Sequence, residues 1–379
     1  MSDKKKIVIG ITAAASTILI KGQMKHFADQ GFDVYLVAPQ EQRTVDYCRD
    51  EGGTLLPVTI ERDISLTKDF SSLRQVVSQF RNVKPDVVNV GTPKIGLLGM
   101  IAARLTGVPV RIYTCRGFRF EHERGPKRKI LIFMERLAGR FAQKIICISP
   151  SLERLSHELK VFPANKTVVI KKGSSNGIDL KRFDPAKVSP SDTARLKEDL
   201  GVAGNFVYGF VGRLYDRKGI IEIYHAFNEL YNSNPNIRFI FVGGVEKEQI
   251  ADMSVLEAIQ RHPGILCVGP QADVPLYLSL MDVFVFPAWG EGFGNVLVQA
   301  AAMGVPVIST KATGCRDAVS DGFNGMLLEP RNVNAVKEAM TLLYNDQGLR
   351  EKYGRNGIEW AKNFDSVAIW EAMKKLYKL

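Results

Sequence analysis

Two cations and one carboxylate stand where chemistry could be done. Arg213 and Lys218, in FVGRLYDRKG, lie just past an apolar strand, and Lys218-Gly219 opens the helix that follows. Two positive charges beside a helix N-terminus, with its free N–H groups and its dipole, suit a diphosphate. The alternative is a pair of solvated surface cations, the ordinary condition of Lys and Arg. The second stretch is FPAWGEGFGNVLVQAAAMGVPVIST, in which Glu291 sits between Gly290 and Gly292. Glycines let a backbone approach a ligand closely. Asn295 then starts a helix whose first amides point the same way. An ionised carboxylate offers two acceptor oxygens to sugar hydroxyls; the alternative is a tight turn whose Glu faces water. In the helix VLVQAAAM every residue reads as core packing except Gln299.

The elements that must position these residues alternate. KKIVIGI, FDVYLVAP, PDVVNVG, VPVRIYTC and QKIICIS read as strands of the first half, with a helix over Thr17–Gln30 and an apolar segment at Ile95–Leu105. NFVYGFVG, IRFIFVGG, ILCVG, DVFVFP and VPVIST continue the series, with a helix from Gly219 to Asn232. Continuous Val/Ile runs separated by helices indicate parallel sheets buried on both faces. Between the halves, Asn176–Asn205 is rich in Ser, Pro, Asp and Gly and reads as the interdomain connection. The expectation is two Rossmann-like α/β domains with a ligand cleft between them, and chemistry at the strand-exit loops. The loop after the first strand, TAAAST, has no GxGxxG, so a dinucleotide fingerprint is missing where a dehydrogenase needs it.

Length and composition agree. A chain of 379 residues implies two domains of about 150–200 residues each. With 45% hydrophobic and 24% charged residues it reads as a soluble globular protein. No run reaches the roughly 18–20 apolar residues of a membrane span, and MSDKKKIVIGI lacks the pattern of a signal peptide. The five cysteines (Cys48, Cys115, Cys147, Cys267 and Cys315) form no CxxC pair and read as reduced core residues of a cytosolic protein. The formal net charge is +11, and Arg111–Lys144 holds ten Lys and Arg against three acids. Such a basic surface attracts nucleic acid, anionic lipid or phosphorylated substrates.

SSNGIDLKRFDP, GRLYDRKG, EGFGNVLVQAAAMGVPVIST and GCRDAVSDGFNGMLLEP, in this order, resemble the family-4 retaining glycosyltransferases of GT-B architecture. The likeness covers nearly the whole chain. YTCRGFRFEHERGPKRKILIFMERLAGRFAQKIICISPSLE resembles the bacterial branch that builds capsule, lipopolysaccharide and other surface polysaccharides. The resemblance implies an acceptor-binding domain over 1–178, a donor-binding domain over 179–363 and a C-terminal helix, about 364–379, packed back on the first. It implies that Arg213 and Lys218 hold the diphosphate of a UDP-sugar, that Glu291 meets the donor sugar, and that these three carry catalysis. Gly212, Gly292 and the amides of Phe293, Gly294, Asn295 and Val296 would line the donor. Gln299 stands where the second Glu of the family's Glu-x7-Glu pattern grips the ribose hydroxyls, and this is a departure: an amide brings one acceptor oxygen and an NH₂ donor. Arg116 stands where many relatives carry a His, a second departure, and would meet a phosphate of donor or acceptor. His122 falls in a polar loop nearby, and Thr12 and Ser16 would border the acceptor.

The chain shows neither DxD nor HExxH, so no metal and no cofactor is expected. Protein cations and helix dipoles would offset the charge of the leaving nucleoside diphosphate. The implied reaction transfers a glycosyl group, an N-acetylated hexosamine or deoxyhexosamine among the candidates, to a polyprenyl-diphosphate-linked saccharide. Lys127, Arg128 and Lys129, beside Ile130, Leu131 and Phe133, could lie on an anionic membrane, against the alternative of a buried helix with a solvated basic end. The expected place is the cytoplasm, peripheral on the inner face of the cell membrane. Three rivals remain: a GT-B-fold UDP-N-acetylhexosamine epimerase, a nucleic-acid-binding protein, and a binding-only relative that holds sugar nucleotide without transfer, for which Gln299 is the hint. The second is disfavoured because no nucleic-acid motif accompanies the basic segment.

Overall fold

The computed structural model describes residues 4–61 and 65–378, apart from the side chains of Leu66 and His122. The chain divides into two compact units, Met1–Gly177 with Ser366–Leu379, and Ile178–Asp365.

In the first unit β1 (Lys6–Gly10), β2 (Asp33–Ala38), β3 (Thr54–Pro57), β4 (Val87–Gly91), β5 (Val110–Cys115), β6 (Lys144–Cys147) and β7 (Thr167–Val168) form a parallel sheet. Its order is β3-β2-β1-β4-β5-β6-β7. The helices are α1 (Gln23–Asp29), α2 (Gln42–Asp50), α3 (Leu66–Val83), α4 (Pro93–Leu105), α5 (Gly125–Phe141) and α6 (Pro150–Glu158). Ile7, Val8, Val87, Val88, Ile145 and Ile146 are fully enclosed, as expected of strands covered on both faces. Proline opens α4, α5 and α6, where its missing N–H costs nothing.

The helix expected over Thr17–Gln30 is broken. Residues 14–20 form a 3₁₀ helix, and α1 starts only after Gly22, whose φ is +80°. The cause is distant in sequence. The ring of Trp370 lies against Gly22, where a Cβ would come within 2.8 Å of it, so a left-handed glycine both turns the chain and makes room. Trp370 belongs to the C-terminal helix, Ser366–Tyr377, which completes this unit's core with Ile369, Met373 and Tyr377 against Ile20, Met24 and Phe27.

In the second unit β8 (Phe206–Val211), β9 (Ile237–Val242), β10 (Ile265–Cys267), β11 (Val283–Val285), β12 (Val307–Thr310) and β13 (Gly325–Leu328) form a parallel sheet. Its order is β10-β9-β8-β11-β12-β13. Around it run α7 (Pro190–Asp199), α8 (Ile220–Ser233), α9 (Met253–Arg261), α10 (Val274–Leu278), α11 (Asn295–Ala302), α12 (Cys315–Ala318), α13 (Val333–Asn345) and α14 (Gln347–Ala361). The stretch 176–205 is mostly folded: the chain changes unit at its start, and α7 belongs to the second unit. One cysteine departs from the expectation of a core residue. Cys267, at the end of edge strand β10, is exposed, while the other four are buried.

Candidate functional site

Each sheet reverses its winding once, between β1 and β4 in the first unit and between β8 and β11 in the second. The helices on either side of such a point leave in opposite directions and open a crevice at the carboxyl ends of the strands. In the second unit the loop after β8 carries Arg213 and Lys218, and the loop after β11 carries Glu291. Two strands intervene in sequence, yet β8 and β11 are paired neighbours.

That adjacency brings Lys218 and Glu291 into an ion pair, Nζ to Oε1. Their side chains are 12% and 20% exposed, so water screens the pair only in part. The Lys218 ammonium also faces the rings of Tyr215 and Phe286, with centroids 5.6 and 5.3 Å away. Burial disfavours its charge, but the Glu291 carboxylate beside it outweighs that, and its pKa lies above the usual lysine value. The charged form is therefore fixed at neutral pH.

The two loops are held by their backbones. The Trp289 N–H donates to the Arg217 carbonyl at 2.9 Å, tying the β11 loop to the residue before Lys218. The Trp289 indole donates to Glu222 Oε1 at 2.9 Å, and the Arg331 guanidinium lies 4.2 Å over its ring. Glu222, in the first turn of α8, is buried, and burial raises its pKa. Gly219, φ +81°, packs so tightly on Pro287 that a Cβ would collide with the Pro287 carbonyl oxygen. Gly314, φ +73°, lies likewise against the carbonyls of Glu291 and Gly292, and the Glu291 N–H donates to Thr313 O at 2.9 Å. Glu222, Trp289 and Arg331 were not anticipated from sequence. A lone Glu among isoleucines in IIEIYHAF was the signal that could have found the first of them.

The other expected donor residues divide. Arg213 is 62% exposed, pairs with Glu246 and lies over the Tyr215 ring, so it stands at the rim. The Gly212 N–H is spent on Val242 O at 2.9 Å. Phe293 is buried, its ring 5.3 Å from that of Phe364, and anchors the loop. The Asn295 N–H donates to Phe293 O and the Gly294 N–H to Gly314 O, whereas the N–H groups of Phe293 and Val296 have no backbone acceptor among the described residues. Gln299 lies on α11, partly exposed and with no side-chain hydrogen bond among the described residues.

In the first unit Thr12 and Thr92 lock β1 to β4: their hydroxyls are 2.6 Å apart, and the Thr12 N–H donates to Thr92 Oγ1 at 3.0 Å. Ser16 lies in the 3₁₀ segment, partly exposed. Arg116 follows β5 and donates to the Leu19 carbonyl at 3.3 Å. His122 has its side chain outside the described residues. Along α5 the exposed face carries Lys129, Ile130, Phe133, Arg136 and Arg140, with Ile130 50% and Phe133 64% exposed. Leu131, expected on that face, is instead buried, because one residue on from Ile130 the helix has turned by about 100° toward the interior. Lys127 is exposed and pairs with Glu123 at 2.6 Å. Arg128 lies 5.8 Å from the Phe120 ring. Glu135, the one acid of α5, is turned inward and accepts from Tyr113 Oη at 2.8 Å. Among the described residues no helix is long and apolar enough to cross a membrane, and no three His, Cys, Asp or Glu side chains gather as metal ligands.

Residues 192–360 match the family Glycosyl transferases group 1, and residues 19–173 match the Glycosyl transferase 4-like domain. The chain is 36% identical over 376 residues to the capsular polysaccharide biosynthesis glycosyltransferase CapM of Staphylococcus aureus, covering 98% of this chain and 97% of that one. It is 30% identical to the UDP-Gal:alpha-D-GlcNAc-diphosphoundecaprenol alpha-1,3-galactosyltransferase of Escherichia coli, covering 92% and 89%. In fold it is similar to Anabaena HepE, solved with UDP and glucose, with a TM-score of 0.84, 23% identity and coverage of 99% and 100%.

Proposed function

Since the chain belongs to the group 1 glycosyltransferases of GT-B fold and is related to capsule and undecaprenol-linked sugar transferases, we propose that it moves a sugar from a UDP-sugar, with retention at the anomeric carbon, to a saccharide on a polyprenyl diphosphate. The product would enter a capsule or other surface polysaccharide. The observation that carries this reading is the Lys218–Glu291 pair at the switch point of the second sheet. An ammonium has three N–H donors, and Glu291 takes one; the others can meet phosphate oxygens. Glu291 Oε2 is left to accept from a sugar hydroxyl. One pair thus sets the leaving diphosphate beside the sugar it departs from. As the bond from the anomeric carbon to phosphate breaks, negative charge grows on the diphosphate, and a fixed cation in a partly dry site stabilises that charge more than the ground state. Arg213 adds charge at the rim. No protein base and no metal is assigned.

The test is a thermal-shift panel of UDP-, GDP- and ADP-sugars, with hexoses and N-acetylhexosamines in each set, followed by transfer to a polyprenyl-diphosphate saccharide. A ligand that binds the native state raises its melting temperature. Stabilisation by UDP-sugars and extension of the lipid-linked saccharide are expected; stabilisation by none of the three sets would refute the reading.

Gln299 bears on donor affinity. A carboxylate there could accept from two ribose hydroxyls at once, a gain of about 1 kcal/mol. Gln299→Glu is therefore expected to keep turnover and lower the donor KM about fivefold. A donor KM left unchanged would place the ribose elsewhere.

The α5 face supports a peripheral place on an anionic membrane. Two exposed apolar side chains among Lys129, Arg136 and Arg140 provide both burial and charge attraction, each cation contributing about 1 kcal/mol near such a surface. Lys127, Arg128 and Lys129 changed together to Glu is expected to abolish sedimentation with vesicles containing phosphatidylglycerol at low salt. Binding by the triple variant equal to wild type would remove the helix from the account.

A further inference from the structure

Among the described residues Arg116 has no counter-charge. It rises from the carboxyl end of β5 and lies over the end of β4, so close that a Cβ on Gly91 would come within 2.7 Å of its Nε. That Nε is enclosed and has no hydrogen-bond partner among the described residues. The ionisable groups acting on the guanidinium are the phenols of Tyr377, Tyr113 and Tyr47, with no carboxylate among them. Burial lowers its pKa to about 10, still far above neutrality, so the charge persists. A guanidinium partly withdrawn from water, with its Nε enclosed and no carboxylate beside it, is costly, and proteins keep one where it meets an opposite charge.

The surroundings are those of a ligand site. Arg116 stands beside the first sheet's own switch point, where β1 and β4 are clamped by Thr12 and Thr92. Thr92 is held at φ +83°, a conformation that a β-branched residue rarely adopts and that only surrounding bonds maintain. The Ile95 N–H in the first turn of α4 donates to Thr12 Oγ1 at 3.3 Å, so the helix starts from this clamp. Gly91, without a side chain, leaves the space that Arg116 occupies.

We propose that Arg116 binds the diphosphate of the lipid-linked acceptor at the switch point of the first unit. This rests on the acceptor chemistry proposed above. The donor's diphosphate has its own cations, Lys218 and Arg213, at the switch point of the other sheet. The unit that holds Arg116 also carries the basic α5 face with Ile130 and Phe133, to which a lipid diphosphate would come from a membrane.

Steady-state kinetics with three acceptors carrying the same sugar test this: the polyprenyl diphosphate, the polyprenyl monophosphate and an uncharged alkyl glycoside. Arg116→Gln is expected to raise KM for the diphosphate acceptor at least about tenfold. Its donor KM should stay within about twofold of wild type, and its rate on the alkyl glycoside should not change. Arg116→Lys keeps the charge and should fall between. A rise in donor KM alone, an equal loss on all three acceptors, or no change on any would overturn the proposal. A second readout needs no transfer and so separates this failure from failure of the donor reading. Inorganic pyrophosphate should raise the melting temperature of the Lys218→Ala protein, raise it less when Arg116→Lys is added and not at all when Arg116→Gln is added; equal stabilisation of all three would also overturn it.

Discussion

Replacing Lys218 by alanine is expected to lower kcat/KM for the UDP-sugar by about 10²–10³, the loss typical of removing one fixed stabiliser of developing charge. Two effects add. The diphosphate loses the ammonium that meets it, and Glu291 is left partly buried with its partner gone, a loss that costs stability as well. Lys218→Arg separates them, since it keeps the charge beside Glu291 but moves it about the site. That variant should melt near wild type while remaining impaired in turnover. Arg213→Ala should cost less, because Arg213 is exposed and already engaged by Glu246; exposed pairs of this kind contribute about 1 kcal/mol or less. Steady-state kinetics of the three variants check the order. An Arg213→Ala loss larger than that of Lys218→Ala would invert the roles assigned here.

The second large effect is on stability. Trp370→Ala is expected to destabilise the first unit by about 3–5 kcal/mol, as for a large aromatic removed from a packed core. Trp370 fills the space over Gly22, and its indole donates to Asn176 Oδ1 at 2.8 Å. Asn176 in turn donates to the Lys21 carbonyl at 2.8 Å, so one side chain fixes the break between the 3₁₀ helix and α1. Farther along the same helix, Tyr377 Oη accepts from Asn89 Nδ2 at 2.6 Å in the middle of the sheet. Hydrogen exchange read by mass spectrometry should show lost protection in β1, β2 and α1 of the variant, with β8, β9 and β11 unchanged. Unchanged protection in β1 and α1 would show that the C-terminal helix is not part of that core.

Much of this was open to the sequence because it is local. The apolar runs of β1, β4, β8 and β11, bounded by polar and glycine-rich loops, read directly as strands covered on both faces. Glycine, charge and helix start coincide within a few residues at Lys218-Gly219 and at Gly292–Asn295. What was hidden depends on partners far along the chain. Nothing near Thr17–Gln30 announces a break, because the residue that forces it, Trp370, is about 350 positions away. Lys218 and Glu291 were each picked out, but their pairing needs β11 to skip past β9 and β10 to reach β8. Arg116 was legible as a cation after a strand, yet its lack of a counter-charge is a property of the packing. Cys267 was misplaced because edge and centre strands share one apolar pattern, and only the strand order says which is the edge.

The central claim is that Lys218 holds the diphosphate and Glu291 the sugar of one donor. Calorimetric titration of UDP and of the UDP-sugar into wild type, Lys218→Ala and Glu291→Gln separates the two contacts. Lys218→Ala should weaken both ligands by about tenfold or more, whereas Glu291→Gln should weaken the UDP-sugar and leave UDP within about twofold. UDP bound equally well by wild type and Lys218→Ala would contradict the account.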